Sequence, residues 1–390
     1  MSLRGRVNWW RFGSCLNPFS LVWLLVLSCH LHLLSSDFRV FIGTYTRGAS
    51  EGIYAFDFSS ETGKAGGVQL VAQADNPSFL ALHGETLYAV NEVNSFGGES
   101  SGAVSAFRMG PGGGLEFLNQ LASGGGAPCH LVVDREGETL LVANYSGGNV
   151  ASFRLESDGR IKERRSLIQH LGSSVNRRRQ TAPHAHSINL DPANRFAAAA
   201  DLGVDRVFVY PFNSDAGKLE LVKAQSVSLP AGAGPRHFAF HPNQKLAFVN
   251  NELHSSLTSL AFDSNSGQLR VVATLSTLPD GFSGGNSTAE TQVHPDGRTV
   301  YVSNRGHDSI AQFRVNPKSG QIERLGWTLT EGRTPRNFCL SPDGDYLLAA
   351  NQSSDSVVIF PIDAGSGRLK ASVGRIAVPS PVCVKFLRLN

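Results

Sequence analysis

Nine side chains of this sequence have the types that acid–base and anion chemistry needs, and they recur at matching places in repeated strings. Arg236 and His237 stand in GPRH, Arg336 and Asn337 in TPRN, His184 and His186 in PHAHS, Glu252 in NNE, Arg305 in SNR and Glu290 in TAE. A guanidinium binds carboxylate or phosphate through paired N–H donors and stabilises a developing oxyanion. A His or Glu beside it activates water or carries a proton. Neighbouring arginines lower the pKa of a carboxyl such as Glu252 and keep it ionised. His186, Arg236, Glu252 and Arg305 are therefore the catalytic candidates. His184, His237, Glu290, Arg336 and Asn337 are the candidates for binding substrate. A plainer reading stands beside this one, in which Arg236–Glu252 and Arg305–Glu290 are ion pairs that only seal the fold.

These residues need elements that bring distant strings together, and the sequence repeats supply them. Each unit opens with a Pro or small residue and an alternating apolar strand. A turn of the HPxG or SPDG kind usually follows, and a second apolar strand ends in Asn or Asp. First strands start near Pro77, Pro128, Ala185, Pro235, Thr288, Pro335 and Pro381. Second strands end at Thr44, Asn91, Asn144, Asp201, Asn251, Asn304 and Asn351, at intervals of 47, 53, 57, 50, 53 and 47 residues. Such a period, with period-2 strands inside it, marks an all-β propeller of four-stranded blades. Seven first strands and seven second strands give seven blades. The N-terminal unit lacks a first strand, and Pro381–Leu387 is an unmatched one. The C-terminal strand is thus expected to close the first blade and leave no open edge.

In that architecture the residues after each Pro and after each Asn ring one mouth of the central channel. The first set is Ser78, Cys129, His186, Arg236, Ala289, Arg336 and Val382. The second is Tyr45, Glu92, Tyr145, Leu202, Glu252, Arg305 and Gln352. Leu202 and Val382 are packing residues. Arg236 and Glu252 lie 16 residues apart along one hairpin, whose ends return to the same rim. They are expected to touch there, as rim groups with little part in core packing.

Composition bounds the rest. A net charge of +3 over 390 residues leaves no nucleic-acid footprint. The basic run Arg177-Arg178-Arg179 falls in the longest interval and reads as a solvated loop. Five cysteines without close pairs or metal spacing argue against a disulfide framework. Residues 1–36 stand outside the repeat. Arg4, Arg6 and Arg11 precede an apolar stretch from Leu21 to Leu34, the order of a secretory signal or membrane anchor. Membrane contact is expected only through that segment. If it is instead an over-long start, the protein is cytoplasmic. Residues 37–390 form one domain, expected as a monomer.

The strings GTYT (43–46), NPSFLAL (76–82), PHAHSI (183–188), GPRHFAFHP (234–242), NNELHSSL (250–257), VSNRGHDSI (302–310) and PRNFCLSPDG (335–344) resemble the seven-bladed lactonase family. That family includes bacterial 6-phosphogluconolactonases and fungal 3-carboxy-cis,cis-muconate lactonizing enzymes. The resemblance runs from about Phe38 to Leu387 with the motifs in order. It implies a small-molecule lactone substrate, no cofactor and no metal. The most direct activity is hydrolysis of 6-phospho-D-glucono-1,5-lactone. The family's site of one His, two Arg and one Glu falls on His186, Arg236, Glu252 and Arg305, with Arg336 as the alternative second arginine. At Thr288 the repeat lacks its proline, and Ala289 replaces the larger polar residue found at several other blades.

Other chemistries fit less well. Gly48-Ala49-Ser50-Glu51-Gly52 matches GxSxG, but it links two strands, where a nucleophile elbow needs a strand-to-helix turn. His184 and His186 form an HxH pair, yet no further zinc ligand lies nearby in pattern. No Walker or dinucleotide fingerprint occurs. Two alternatives to hydrolysis remain. One is a muconate-type cycloisomerase. The other is an exported, non-catalytic propeller that binds a sugar acid or protein partner at the same mouth.

Overall fold

A computed structural model describes residues 37–389 and Gly5. The signal or anchor reading of residues 1–36 lies outside the described residues. Seven antiparallel sheets follow one another along the chain, each ordered from an inner strand outwards. The inner strands of blades two to seven are Leu80–His83, Pro128–Val133, Ala185–Leu190, Pro235–Phe240, Ser287–Val293 and Pro335–Leu340. Blade one takes its inner strand from the C-terminus. Pro381–Arg388 pairs with Phe38–Thr44 in a register from Phe38↔Arg388 to Thr44↔Pro381. The expected closure is present. Among the described residues the only helical segments are three 3-10 turns of three residues each.

Burial of the second strands shows why units stack. Thr139–Asn144 and Phe196–Asp201 are buried at every position. One face packs on the preceding blade and the other on the next, so no face is left polar. The run Ala197–Ala200 keeps that layer thin. Outer strands such as Ile161–Gln169 expose much of their length. The first-to-last junction is aromatic: Phe386 meets Phe38 at 5.6 Å and Phe58 at 5.9 Å between ring centroids. Phe386 is half-buried, so Phe386→Ala is expected to cost ~2 kcal/mol, below the usual loss for a fully buried aromatic. Urea unfolding measures it, and an unchanged midpoint would mean that the closure carries no stability.

The repeated residues have structural duties. The terminal Asn of a second strand donates to the backbone that leads into its own blade's first strand: Asn91 to Asp75 O at 2.8 Å, Asn304 to Thr277 O at 2.9 Å and Asn351 to Thr330 O at 3.0 Å. The HP turns button neighbouring blades together. His241 donates to Gly297 O at 2.8 Å and His294 to Gly344 O at 2.9 Å. Gly297 and Gly344 take φ of 74° and 84° in those turns, a conformation that favours glycine.

Two boundaries differ from the sequence expectation. The inner strand of blade two begins at Leu80, three residues after Pro77, and the second strand of blade six runs to Arg305. A third difference matters more. In six inner strands the pairing register shifts by one residue just after the first position, or after the second in Ser287–Val293. This is a β-bulge, with two residues facing one on the partner strand. The extra residue re-aims the side chains at the top of each strand, where the chemistry is.

Candidate active site

The bulges place Cys129, His186, Arg236 and Arg336 around one end of the channel. Backbone pairing brings the second-strand residues to meet them: Glu252 N donates to Gly234 O at 2.7 Å, which closes the hairpin between Arg236 and Glu252. A cleft of about 300 Å³ opens there, lined by Glu92, Cys129, Tyr145, Arg179, His186, Glu252, Ser287, Arg305 and Arg336. That volume is at the small end for ligand pockets. Two larger grooves lie between blades on the outer surface; one is mostly uncharged, and the other is predominantly acidic, with Glu85, Glu136, Glu138, Glu156 and Asp158 against Arg108 and Arg154.

Glu252 is the hub. Its Oε1 lies 2.7 Å from Arg179 Nη2, and its Oε2 lies 2.9 Å from Arg236 Nε and 3.0 Å from Arg305 Nη2. The Arg236 Nε contact is one of charge, because that N–H is not aligned on the carboxylate as a hydrogen bond. Burial alone would raise the Glu252 carboxyl, but Arg305, Arg236 and Arg179 outweigh it and hold the group at about 2. Arg236 and Glu252 are 2% and 3% exposed. The expected contact is present, but the pair is buried rather than a rim feature. Arg305 likewise joins Glu252, not Glu290 as the ion-pair reading had it.

His186 turns Nδ1 to Cys129 Sγ at 3.5 Å, and its Nε2 stands 4.0 Å from Glu252 Oε2. Burial, with the charges of Arg236, His237 and Arg336, lowers its pKa well below the ordinary imidazole value. The ring is therefore neutral at pH 7. Nε2 is the ring nitrogen on the Glu252 side, and a neutral ring that carries its proton on Nδ1 has the Nε2 lone pair free to act as a base. Burial raises the Cys129 thiol, so it stays protonated and inert.

The remaining predicted residues separate into two groups. Arg336 lines the cleft and donates to the Tyr45 hydroxyl at 2.7 Å. His184 braces the wall, stacked on Tyr145 at 4.4 Å with Nδ1 on Tyr145 O at 3.0 Å. His237, Glu290 and Asn337 form a buried layer beneath. His237 Nδ1 is 3.0 Å from Glu290 Oε1, and Asn337 Nδ2 donates to Glu290 Oε2. Burial raises Glu290 to about 6 and lowers His237. None of the three lines the cleft. Their contacts are those of a floor that supports Arg236 and His186.

Arg179 is the residue that sequence reasoning missed. It belongs to the basic run read as a solvated loop. Gln180, fully buried, pins that loop by donating to Leu202 O at 2.8 Å and Asp205 Oδ1 at 2.7 Å. At the loop's start His170 bonds Asp201 Oδ2 at 2.6 Å, and Asp201 Oδ1 accepts His184 N at 2.7 Å. The one available signal was the length of that interval, the longest between blades. Tyr145, whose hydroxyl accepts from Arg179 at 3.1 Å, stood in the predicted ring without a role.

The model of the seven-bladed β-propeller lactonase family matches residues 39–386. The chain belongs to that family. A Bacillus subtilis 6-phosphogluconolactonase is 37% identical over 350 residues, 89% of this chain and 97% of its own. The solved structure of a periplasmic gluconolactonase from Pseudomonas aeruginosa superposes with a TM-score of 0.84 at 33% identity, covering 90% of this chain and 99% of that one. A putative 6-phosphogluconolactonase from Bacteroides fragilis gives 0.81 at 31%, covering 90% and 98%. The cleft described above thus sits on a fold shared with these relatives along nearly its whole length.

Proposed function

We propose that this lactonase hydrolyses a sugar lactone, 6-phospho-D-glucono-1,5-lactone before others. The observation that carries the reading is the charge of the cleft. Arg179, Arg305 and Arg336 line it together with Glu92 and Glu252, and the buried Arg236 backs Glu252. Two positive charges are left over in a partly desolvated site, with a neutral His186 beside them. A phosphomonoester brings roughly −1.5 to −2 at pH 7 and matches that surplus. The names of the Bacillus and Bacteroides relatives point the same way.

The chemistry follows from the groups present. His186 Nε2 takes a proton from water as the oxygen attacks the lactone carbonyl. The guanidiniums around Glu252 stabilise the oxyanion. Collapse breaks the ring C–O bond, and protonated His186 returns its proton to the leaving alkoxide. The product is an open-chain hydroxy acid that ionises to its carboxylate. Glu252, held at about 2, is too weak a base to share the task. It fixes three guanidiniums in place.

The test is a turnover panel of the phosphorylated lactone, free glucono-1,5-lactone and muconates, followed by proton release. Hydrolysis of the phosphorylated lactone with the highest kcat/KM is the expected result. Turnover of muconates alone would make the protein a cycloisomerase, and turnover of none would leave a binding propeller. A preference for the free lactone is the second reading. It is favoured by the likeness to the Pseudomonas periplasmic enzyme and by the signal-like order of residues 1–36.

A further inference from the structure

Across the cleft from Glu252 stands a second carboxylate that the hydrolytic steps leave unused. Glu92 follows the second strand of blade two, and its direct side-chain hydrogen-bond partners are neutral. The Tyr45 hydroxyl lies 2.9 Å from both carboxylate oxygens, and Ser78 Oγ donates to Oε2. No Arg, Lys or His among the described residues comes within 4.0 Å of it in an ion pair, whereas Glu252 meets three guanidiniums. Arg336 reaches it only through Tyr45, whose hydroxyl accepts from Nη2 at 2.7 Å while the guanidinium lies 5.1 Å from the ring centroid. Burial raises the Tyr45 phenol, so its single proton stays in place to serve Glu92.

An ionised carboxylate accepts about four hydrogen bonds. Two donors occupy Glu92, and the side chain is half-buried in the cleft lining. Acceptor capacity therefore remains on the side where a ligand sits. Hydroxyl groups are the donors that suit an acceptor held by neutral partners, since they need no charge to be neutralised. A second carboxylate on the ligand would be repelled at that end and directed to the arginines.

We propose that Glu92 is a specificity-determining residue, which accepts hydrogen bonds from ring hydroxyls of the lactone while the arginines around Glu252 take its carbonyl oxygen and anionic end. This inference rests on the lactonase reading. It adds what that reading lacks, a reason to prefer polyhydroxylated lactones over plain ones.

The experiment compares kcat/KM for glucono-1,5-lactone and for unsubstituted δ-valerolactone in the wild type and in Glu92→Gln. Hydrogen bonds to a charged group imply that the ratio of the two falls ~10- to 100-fold in the variant. A merely structural Glu92 would depress both substrates together and leave the ratio alone, which would overturn the proposal. A second measurement needs no variant. Wild-type protein is given gluconolactones lacking one ring hydroxyl each, and at least one should lose ~10-fold or more in kcat/KM. Equal turnover of the whole series overturns the proposal whatever the variant does. A wild type inactive on every lactone overturns the lactonase reading and this inference with it. An active wild type with an unmoved ratio removes this inference alone.

Discussion

Glu252→Gln is expected to lower kcat/KM at least ~10²-fold and to destabilise the protein at the same time. The activity loss follows because Arg179, Arg236 and Arg305 are aimed by this one carboxylate, and removing an oxyanion-stabilising arrangement typically costs that much. The stability loss follows from burial. Three guanidiniums would be left beside a neutral amide, and breaking a buried ion pair from one side costs about 3–5 kcal/mol. Acid titration gives an independent check. Glu252 falls from an ordinary 4.5 to about 2 in the folded protein. Its contribution is therefore complete above pH 4.5 and is lost as pH falls towards 2. The shift corresponds to about 3 kcal/mol. Glu252→Gln should lack this component and show a flatter acid limb of stability. Unchanged activity and unchanged melting temperature in the variant would remove Glu252 from the site.

His186→Gln should reduce kcat by ~10²- to 10⁴-fold, the range for loss of a general base, with little change in substrate binding. The pH profile carries the sharper expectation. Burial and the charges of Arg236, His237 and Arg336 disfavour the imidazolium, so the base is already free at pH values where an exposed histidine is half protonated. The acid limb of kcat/KM in the wild type should fall well below pH 6.5. In His186→Gln that limb should vanish from whatever residual rate remains. An acid limb at 6.5 or above in the wild type would mean that another group supplies the base. An unaltered kcat would leave His186 a packing partner of Cys129.

Parts of the site could be read in the sequence because they depend on hairpin arithmetic. Arg236 and Glu252 flank one antiparallel pair, so their meeting needed only strand length. Cys129, Tyr145 and Glu92 were placed at the mouth by the same count. Arg305 was placed there too, in one cluster with Glu252, but the plainer ion-pair reading gave it Glu290 as partner. Its strand belongs to the neighbouring blade, and only the angle between blades decides whether Glu252 or Glu290 is nearer. The burial of Arg236 was missed for a related reason. A bulge sets Arg236 and His237 together against Asn250, and simple alternation cannot show which residues a bulge turns inwards.

Local chemistry written along the chain determined the propeller itself. Alternating apolar strand pairs recur seven times, with a terminal Asn at five of the second-strand ends, and each unit can bury its faces only against its neighbours. Pro381–Arg388 closes the first blade because it is the one inner strand without a sheet and Phe38–Thr44 is the one edge without a cover. Tertiary structure alone decided how charge is distributed at the channel mouth. Arg179 reaches Glu252 from 73 residues away because Gln180 anchors its loop in the next blade. His237 and Glu290 sink beneath the cleft because two blades press them together. Those outcomes depend on distances across blade interfaces, which no run of neighbouring residues encodes.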